Sequence, residues 1–571
     1  MELPPGANAH AKRVLTAVFS GDLPELQQAY AENPLEFSQP GVGAMLLNVA
    51  CREGRPEVVA WLLGLGCDPN EPYRGEVPLI VALGWDTATF KGLVARDLAA
   101  ATLLLSFAQQ GRTTLTAEMI SSLAQSGLGS RIAELAFSPT APDILARKAQ
   151  VVDLLLTHGA DVRAAAGTAL IAQAVRTGFD GALVHRLIDA GANPSFTDAN
   201  LRANALHIAA YQGNLSAATA LLDRGVRLET LSFPLPPDFP RLRNEPSGGG
   251  NTPLMCAITR GQIAMVRLLL ARGADPNQSN RHLCTALHFA APWPNSEIVS
   301  LLLAARARPD VANLDGVTPL HFAAFKGRVE NARLLCDAGA SLERVDSTGF
   351  TAYLWAAEHN QAEFLDFLLA RGANRHARTD DRTTALRVAA NAGATRSIDF
   401  LLDHGDPVEG FPNDATTPLQ SAAANARPAA VKLLLTRGAH PDRAARASSQ
   451  SPPLIMAVRA FALAPAIQAA AAAKGNPLYS ASKHTEDEYV EVLRALLDAG
   501  ATIDLAGGHQ DTALHLAAEH GLQKIAALLL ERGARTDLAN ASGLTALEVA
   551  RKKGQTALAD LIAQHDARPR N

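Results

Sequence analysis

Histidines offer the first candidate chemistry, because four of them recur in one short block. His207, His288, His321 and His515 each close a block that reads T-[PA]-L-H in its fullest copies. A metal site or a catalytic centre would need several imidazoles to converge. Carried one to a copy along a stack of helices, they would stand roughly 8–10 Å apart even between neighbours. They therefore read as structural. The segment KHTEDEY supplies His484, Glu486, Asp487 and Glu488, but no second histidine at HExxH spacing. Acids ahead of a helix complement the positive end of its dipole, which accounts for them without a metal. SGGGNTP, from Ser247 to Pro253, precedes a helix but lacks the GxxxxGK[ST] spacing of a phosphate loop. No GxSxG is present, and none of the cysteines Cys51, Cys67, Cys256, Cys284 and Cys336 has an obviously basic setting. The sequence carries no positive sign of catalysis, and neither a cofactor nor a metal is implied.

Charge narrows the partners further. The net charge is −4 with acids and bases interspersed, so no general attraction to nucleic acid or membrane is indicated. Arg371, Arg375, Arg378 and Arg382 alternate with Asp380 and Asp381 rather than forming a positive groove. No basic amphipathic helix with bulky aromatics appears, and the run Ala469 to Ala473 is only weakly apolar. Five scattered thiols with no CxxC pair fit a reducing compartment. The start, MELPPGANAHAKRVL, has no apolar core of signal-peptide length. The expected location is the cytoplasm, and the preference for Arg over Lys reads as a GC-rich bacterial source.

At 571 residues the chain is too long for one core, which stops growing at about 250–300 residues, so it is several domains or a linear array. Periodicity decides for the array. Leu254, Leu287, Leu320, Tyr353, Leu386 and Leu419 follow one another every 33 residues, as do Leu514 and Leu547. Weaker copies begin at Leu47, Leu79, Leu170, Leu206 and Leu454. In the copy GVTPLHFAAFKGRVENARLLCDAGASLE, Thr318 suits a helix N-cap and Pro319 the first helical position. Ala323 and Ala324 let inner helices approach, Gly327 ends the inner helix, Leu334 and Leu335 supply the outer helix's buried stripe, and Gly339 stops it.

A 33-residue unit carrying T-P-L-H-x-A-A and then L-L-L-x-x-G-A-D resembles the ankyrin repeat. The resemblance covers nearly the whole chain and implies an all-α fold, an α-solenoid of about 12–14 helix-turn-helix units with short turn or hairpin fingers. It also implies that the block histidines bond to backbone in the turn region. Residues 1–40 are expected to be N-terminal capping helices and residues 41–571 the array. Three insertions interrupt it. One at about 84–147 looks helical. A Pro/Gly-rich loop occupies about 228–250. The third, at about 458–488, is expected to extend an inner helix, with Pro465 kinking or ending it, before a polar loop.

The resemblance implies a non-enzymatic, protein-binding scaffold that recognises its partner through the concave or finger face. Residues free of the skeleton there are Trp293, Phe325, Lys326, Glu358, His359 and Asn391, with Arg281, Leu314 and Phe350 on the fingers. Trp293 and Phe325 are the expected aromatic anchors, whereas Phe322 and Trp355 read as core. A partner that is a toxin or enzyme held in check is the leading expectation. Two others stand beside it: an effector that binds a host protein, and an enzyme whose site is built from the 84–147 insertion with Asp86, Asp97 or Glu134. A pure spacer is a further, weaker reading. No small-molecule substrate is indicated.

Overall fold

A computed structural model describes residues 9–37, 39, 41–73, 75–84, 142–162, 170–196, 204–231, 250–412, 414–444, 451–473, 484–507 and 510–567. Most of the three insertions, with Asp86, Asp97 and Glu134, lies outside the described residues. The chain divides into two compact units, Met1–Ala290 with Ser300–Ala307, and Ala291–Val299 with Arg308–Asn571.

Each unit is a stack of helix pairs. In the first, inner helices Val42–Glu53, Pro78–Leu83, Leu170–Thr177, Ala205–Gln212 and Pro253–Thr259 pack one on the next. In the second, the inner row runs through Pro319–Lys326, Ala352–Glu358, Ala385–Ala392, Pro418–Ala424, Pro453–Ala473, Ala513–His520 and Ala546–Lys552. An outer row, from Val329–Asp337 to Thr556–Asp566, packs behind it. The architecture is the all-α solenoid. Between successive pairs the chain reaches out in short fingers, closed by isolated bridges such as Val345 with Thr351 and Arg378 with Thr384. Ahead of the first unit's stack lie Ala9–Ser20, Leu23–Glu32 and Pro34–Phe37.

Small residues make the inner row possible. Ala323, Ala324, Ala356, Ala357, Ala389, Ala390, Ala422 and Ala423 are fully buried where adjacent helices meet. A larger side chain there would force the helices apart.

Two hydrogen-bonded ties then lace the regular junctions in opposite directions. In the forward tie, His321 Nδ1 accepts the Thr318 N–H at 3.2 Å, and its Nε2 donates to the Phe350 carbonyl of the next finger at 3.0 Å. His515 repeats this with Thr512 at 3.3 Å and Leu544 at 3.1 Å. Gln420 does the same with an amide: its Oε1 accepts the Thr417 N–H and its Nε2 donates to the Ser451 carbonyl, each at 2.7 Å. The block histidines are structural, bonded to backbone as expected.

The backward tie starts from the residue after each inner helix's left-handed turn. Gln361 donates to the Phe325 carbonyl at 3.4 Å, Arg427 to Asn391 at 3.1 Å, and Arg328 to Pro292 at 2.9 Å. In the first unit Arg55 reaches Phe19 at 3.1 Å and Gln262 reaches Gln212 at 3.4 Å. The last carbonyls of a helix have no partner within it, and the following repeat supplies one.

This arrangement gives Gly327 two reasons to lack a side chain. Its φ is +65°, and a Cβ there would run into the Gln361 amide of the next repeat. Gly327→Ala is expected to lower the free energy of unfolding by about 1–3 kcal/mol, from left-handed strain and a displaced tie. Urea denaturation checks this; an unchanged midpoint would refute it.

On the outer row, the arginine that caps one outer helix pairs with the last aspartate of the preceding outer helix. The pairs are Arg224–Asp189 at 2.6 Å, Arg272–Asp223 at 2.9 Å, and Arg371–Asp337, Arg437–Asp403 and Arg532–Asp498 at 2.7 Å each. They are exposed, so each is worth about 1 kcal/mol at most. They set register more than they add stability.

Two expectations gain detail. Pro465 does not end its helix, which runs through it from Pro453 to Ala473. A proline removes only one donor, and the alanines that follow favour helix strongly enough to carry on. The acids of KHTEDEY stand in the first turn of a helix, as expected, and each has a partner. Glu488 closes a capping box with Thr485, Glu486 accepts the Lys524 and Ile525 N–H groups at the start of the next outer helix, and Asp487 pairs with Lys524 at 2.7 Å.

Candidate functional site

The second unit places a cluster of rings where the inner helices Pro319–Lys326 and Ala352–Glu358 end. Phe325 meets His359 edge-on, with centroids 4.5 Å apart, and lies 6.3 Å from Trp355. Trp355 lies 5.9 Å from His359, 6.2 Å from Phe322 and 5.7 Å from His321. Such edge-to-face contacts add about 0.5–1.5 kcal/mol each beyond the area they bury. Phe325, Trp355 and His359 are all partly exposed, while Phe322 beneath them is fully buried.

Trp355 thus departs from the core position expected of it. Its indole N–H donates to Asp346 Oδ2 at 2.9 Å. An indole N–H removed from water usually finds a partner, and here that partner stands on the finger beside the partly exposed ring. Asp346 is itself held: its Oδ1 accepts from the N–H groups of Thr348 at 2.8 Å and Phe350 at 3.0 Å, and from the Thr348 hydroxyl at 2.7 Å. The tryptophan is therefore fixed before any partner arrives. Asp346 was not singled out in the sequence. The available signal was a tryptophan nine residues after an aspartate, at the place where the preceding repeats carry Phe289 and Phe322.

Polar groups border the rings. Lys326 Nζ stands 4.6 Å over the Phe325 ring. Glu358 Oε2 lies 3.8 Å from His359 Nε2. Burial, with Lys326 nearby, pushes His359 down to about 4, so its imidazole is neutral at pH 7. Of the sequence-derived candidates, Phe325, Lys326, Glu358 and His359 come together here. Phe350 stands at the base of the finger, joined to the cluster through Asp346 and through its carbonyl's bond to His321. Leu314 projects from a finger and is 61% exposed. Trp293 is partly exposed in a loop that Asn331 holds, its Nδ2 donating to the carbonyls of Ala291 at 2.9 Å and Trp293 at 2.7 Å. Arg281 is exposed in the other unit.

Elsewhere among the described residues, several reactive side chains are occupied or suppressed. Arg371, Arg375 and Arg378 pair with Asp337, Asp406 and Asp414 at 2.7–2.8 Å, so they form no positive track. Burial raises the Cys51, Cys67, Cys256 and Cys336 thiols above their ordinary range, which disfavours the nucleophilic thiolate. Among the described residues, no group of three or more His, Cys, Asp or Glu side chains is placed to hold a metal. No described helix is long and apolar enough to cross a membrane.

The repeat geometry agrees with direct comparison. Models described as ankyrin repeats in three copies match residues 144–232, 171–280, 236–313, 287–379, 354–445 and 478–571, and a single ankyrin repeat matches residues 42–71. Together these span well over half of the chain. The protein belongs to the ankyrin-repeat family, and its array is a protein–protein interaction scaffold. It is also similar to the human transient receptor potential cation channel subfamily A member 1, at 46% identity over 50 residues. That match takes in 9% of this chain and 4% of the channel.

Proposed function

We propose that the protein is a non-enzymatic scaffold that holds a protein partner on the ring cluster of Phe325, Trp355 and His359, with Lys326, Glu358 and the finger at Phe350 around it. The observation that carries this is the fixed, half-exposed Trp355, pinned through its indole N–H to a finger that is itself internally bonded. Large aromatic side chains dominate interface energetics, and a group already held in place loses little entropy on binding. Trp293 and Leu314 are proposed as outlying contacts, and Arg281 as a separate contact on the other unit. A preformed surface of this kind suits blockade, in which the scaffold covers the working face of a toxin or enzyme.

Affinity capture of the full chain from its native lysate, beside a Phe325→Ala/Trp355→Ala double variant of equal thermal stability, tests the assignment. A stoichiometric partner is expected with wild type. Calorimetry with the purified partner is expected to show at least about a hundredfold weaker binding by the variant, about 2.8 kcal/mol. A partner bound equally by both proteins would remove the site from this surface.

A further inference from the structure

The ring cluster carries a cation that has no ion-pair partner among the described residues, and this points to the chemistry of the partner. We infer that the segment seated on this surface presents a carboxylate beside an aromatic or long aliphatic side chain, with the carboxylate taken up by Lys326. The inference rests on the proposed use of the ring cluster. Among the described residues Lys326 forms no ion pair; its ammonium instead lies over the Phe325 ring.

The chain itself shows how a lysine at this place is otherwise satisfied. Lys553 stands eight residues after Thr545, as Lys326 stands eight after Thr318. Lys553 Nζ lies 2.9 Å from Oε1 of Glu519, seven residues after Thr512 in the preceding inner helix. Seven residues after Thr285, where Lys326 would look for the same acid, stands Pro292. A proline at that place supplies no counter-charge.

Nearby groups do not replace that acid. Glu358 leans on His359 at 3.8 Å. Asp346 is committed to Trp355 and to its own finger. His359 adds no opposing charge, because burial keeps it neutral. An incoming carboxylate would meet an ammonium already seated over an aromatic face, and a hydrogen bond between two charged groups is a strong one. Its apolar neighbour would find the exposed edges of Trp355 and Phe325. A basic segment would instead crowd a second cation against Lys326, which is repulsive at short range.

The test is selection from a random peptide library displayed on phage, panned against the immobilised full chain and against Lys326→Glu, Lys326→Met and Trp355→Ala variants. The Lys326 side chain is exposed, so the charge variants should keep the wild-type melting profile; Lys326→Met, which keeps the stem, serves if Lys326→Glu does not fold. Wild type is expected to enrich peptides with Asp or Glu within two residues of an aromatic, Leu or Met. Their recovery is expected to fall at least tenfold on Lys326→Glu and Lys326→Met, and Trp355→Ala is expected to recover few of them. Peptides lost on Trp355→Ala but recovered equally on the Lys326 variants would overturn the carboxylate inference while leaving the surface assigned. Peptides indifferent to Trp355→Ala, or no enrichment on wild type, would overturn both.

Discussion

Replacing His207 and His321 with glutamine is expected to leave stability at pH 7.5 within about 1 kcal/mol of wild type and to blunt the loss of stability between pH 6.5 and 4. Both imidazoles are buried, and His321 is bonded as a neutral ring, its Nδ1 accepting the Thr318 N–H and its Nε2 donating to the Phe350 carbonyl. His207 Nε2 lies 2.9 Å from the Thr230 carbonyl and 3.1 Å from that of Asn251, while its Nδ1 faces Asn204 Oδ1 at 2.7 Å. Burial pushes His207 from 6.5 down to about 4, and lowers His321 as well. In the unfolded chain each ring takes up its proton near pH 6.5, whereas the folded protein resists it. Stability from these groups is therefore full above pH 6.5 and disappears as pH falls through their folded values. For His207 alone the difference amounts to about 3 kcal/mol.

Glutamine is the informative substitute because the chain already uses it. Gln420 makes both bonds of the forward tie with an amide that does not titrate. Denaturation at pH 7.5 and 4.5 reads the effect directly. A double variant that loses as much stability on acidification as wild type would show that other groups carry the acid sensitivity.

The second large effect is expected at Asn331. Its side chain is buried in the outer helix Val329–Asp337, and its amide donates to the carbonyls of Ala291 and Trp293 in the interrupted stretch, whose middle carbonyl, that of Pro292, is taken by Arg328. Prolines at 292 and 294 prevent that stretch from continuing a helix, so its carbonyls need donors from outside. Phe364, Ser397 and Ala430 hold the corresponding place in later repeats, where the inner helices run longer. Asn331→Ala is expected to cost about 2–3 kcal/mol by leaving buried acceptors unpaired. Asn331→Asp keeps the shape but turns a donor into a carboxylate facing two carbonyls, and is expected to cost more. Chemical denaturation of the two variants separates the explanations. If aspartate were tolerated better than alanine, packing rather than hydrogen bonding would be what Asn331 supplies.

Much of the fold was legible because the same mechanical problem is solved about a dozen times. The 33-residue spacing, the Thr318 and Pro319 helix start and the turn at Gly327 are each determined within one repeat, so each shows in the primary sequence. What escaped reading depends on two repeats at once. Gln361 is an ordinary surface residue until the Phe325 carbonyl, 36 positions earlier, is placed beside it. Asn331 looks like a misfit in an apolar stripe until the broken helix end at Pro292 gives it work. The candidate site divides the same way. Phe325, Lys326, Glu358 and His359 stand at variable places and could be named from the repeat pattern. Trp355 could not, because it shares a place with the buried Phe322 and differs only in an N–H that finds Asp346 on the finger.

The paired ties between repeats bear on how such a chain changes length over generations. Each regular repeat offers the same donors to its neighbours on both sides and asks for the same acceptors. A recombination event that removes or duplicates 33 residues in register therefore joins matching ends, and no buried carbonyl or N–H is orphaned at the new seam. Copy number can drift while folding persists, and selection is left to act on the rare places where the grammar is broken. Leu354, which holds the histidine's place but cannot bond to the next finger, is one such place, and it sits directly beside Trp355. The repeat that would be hardest to exchange for another copy is the one that carries the exposed tryptophan.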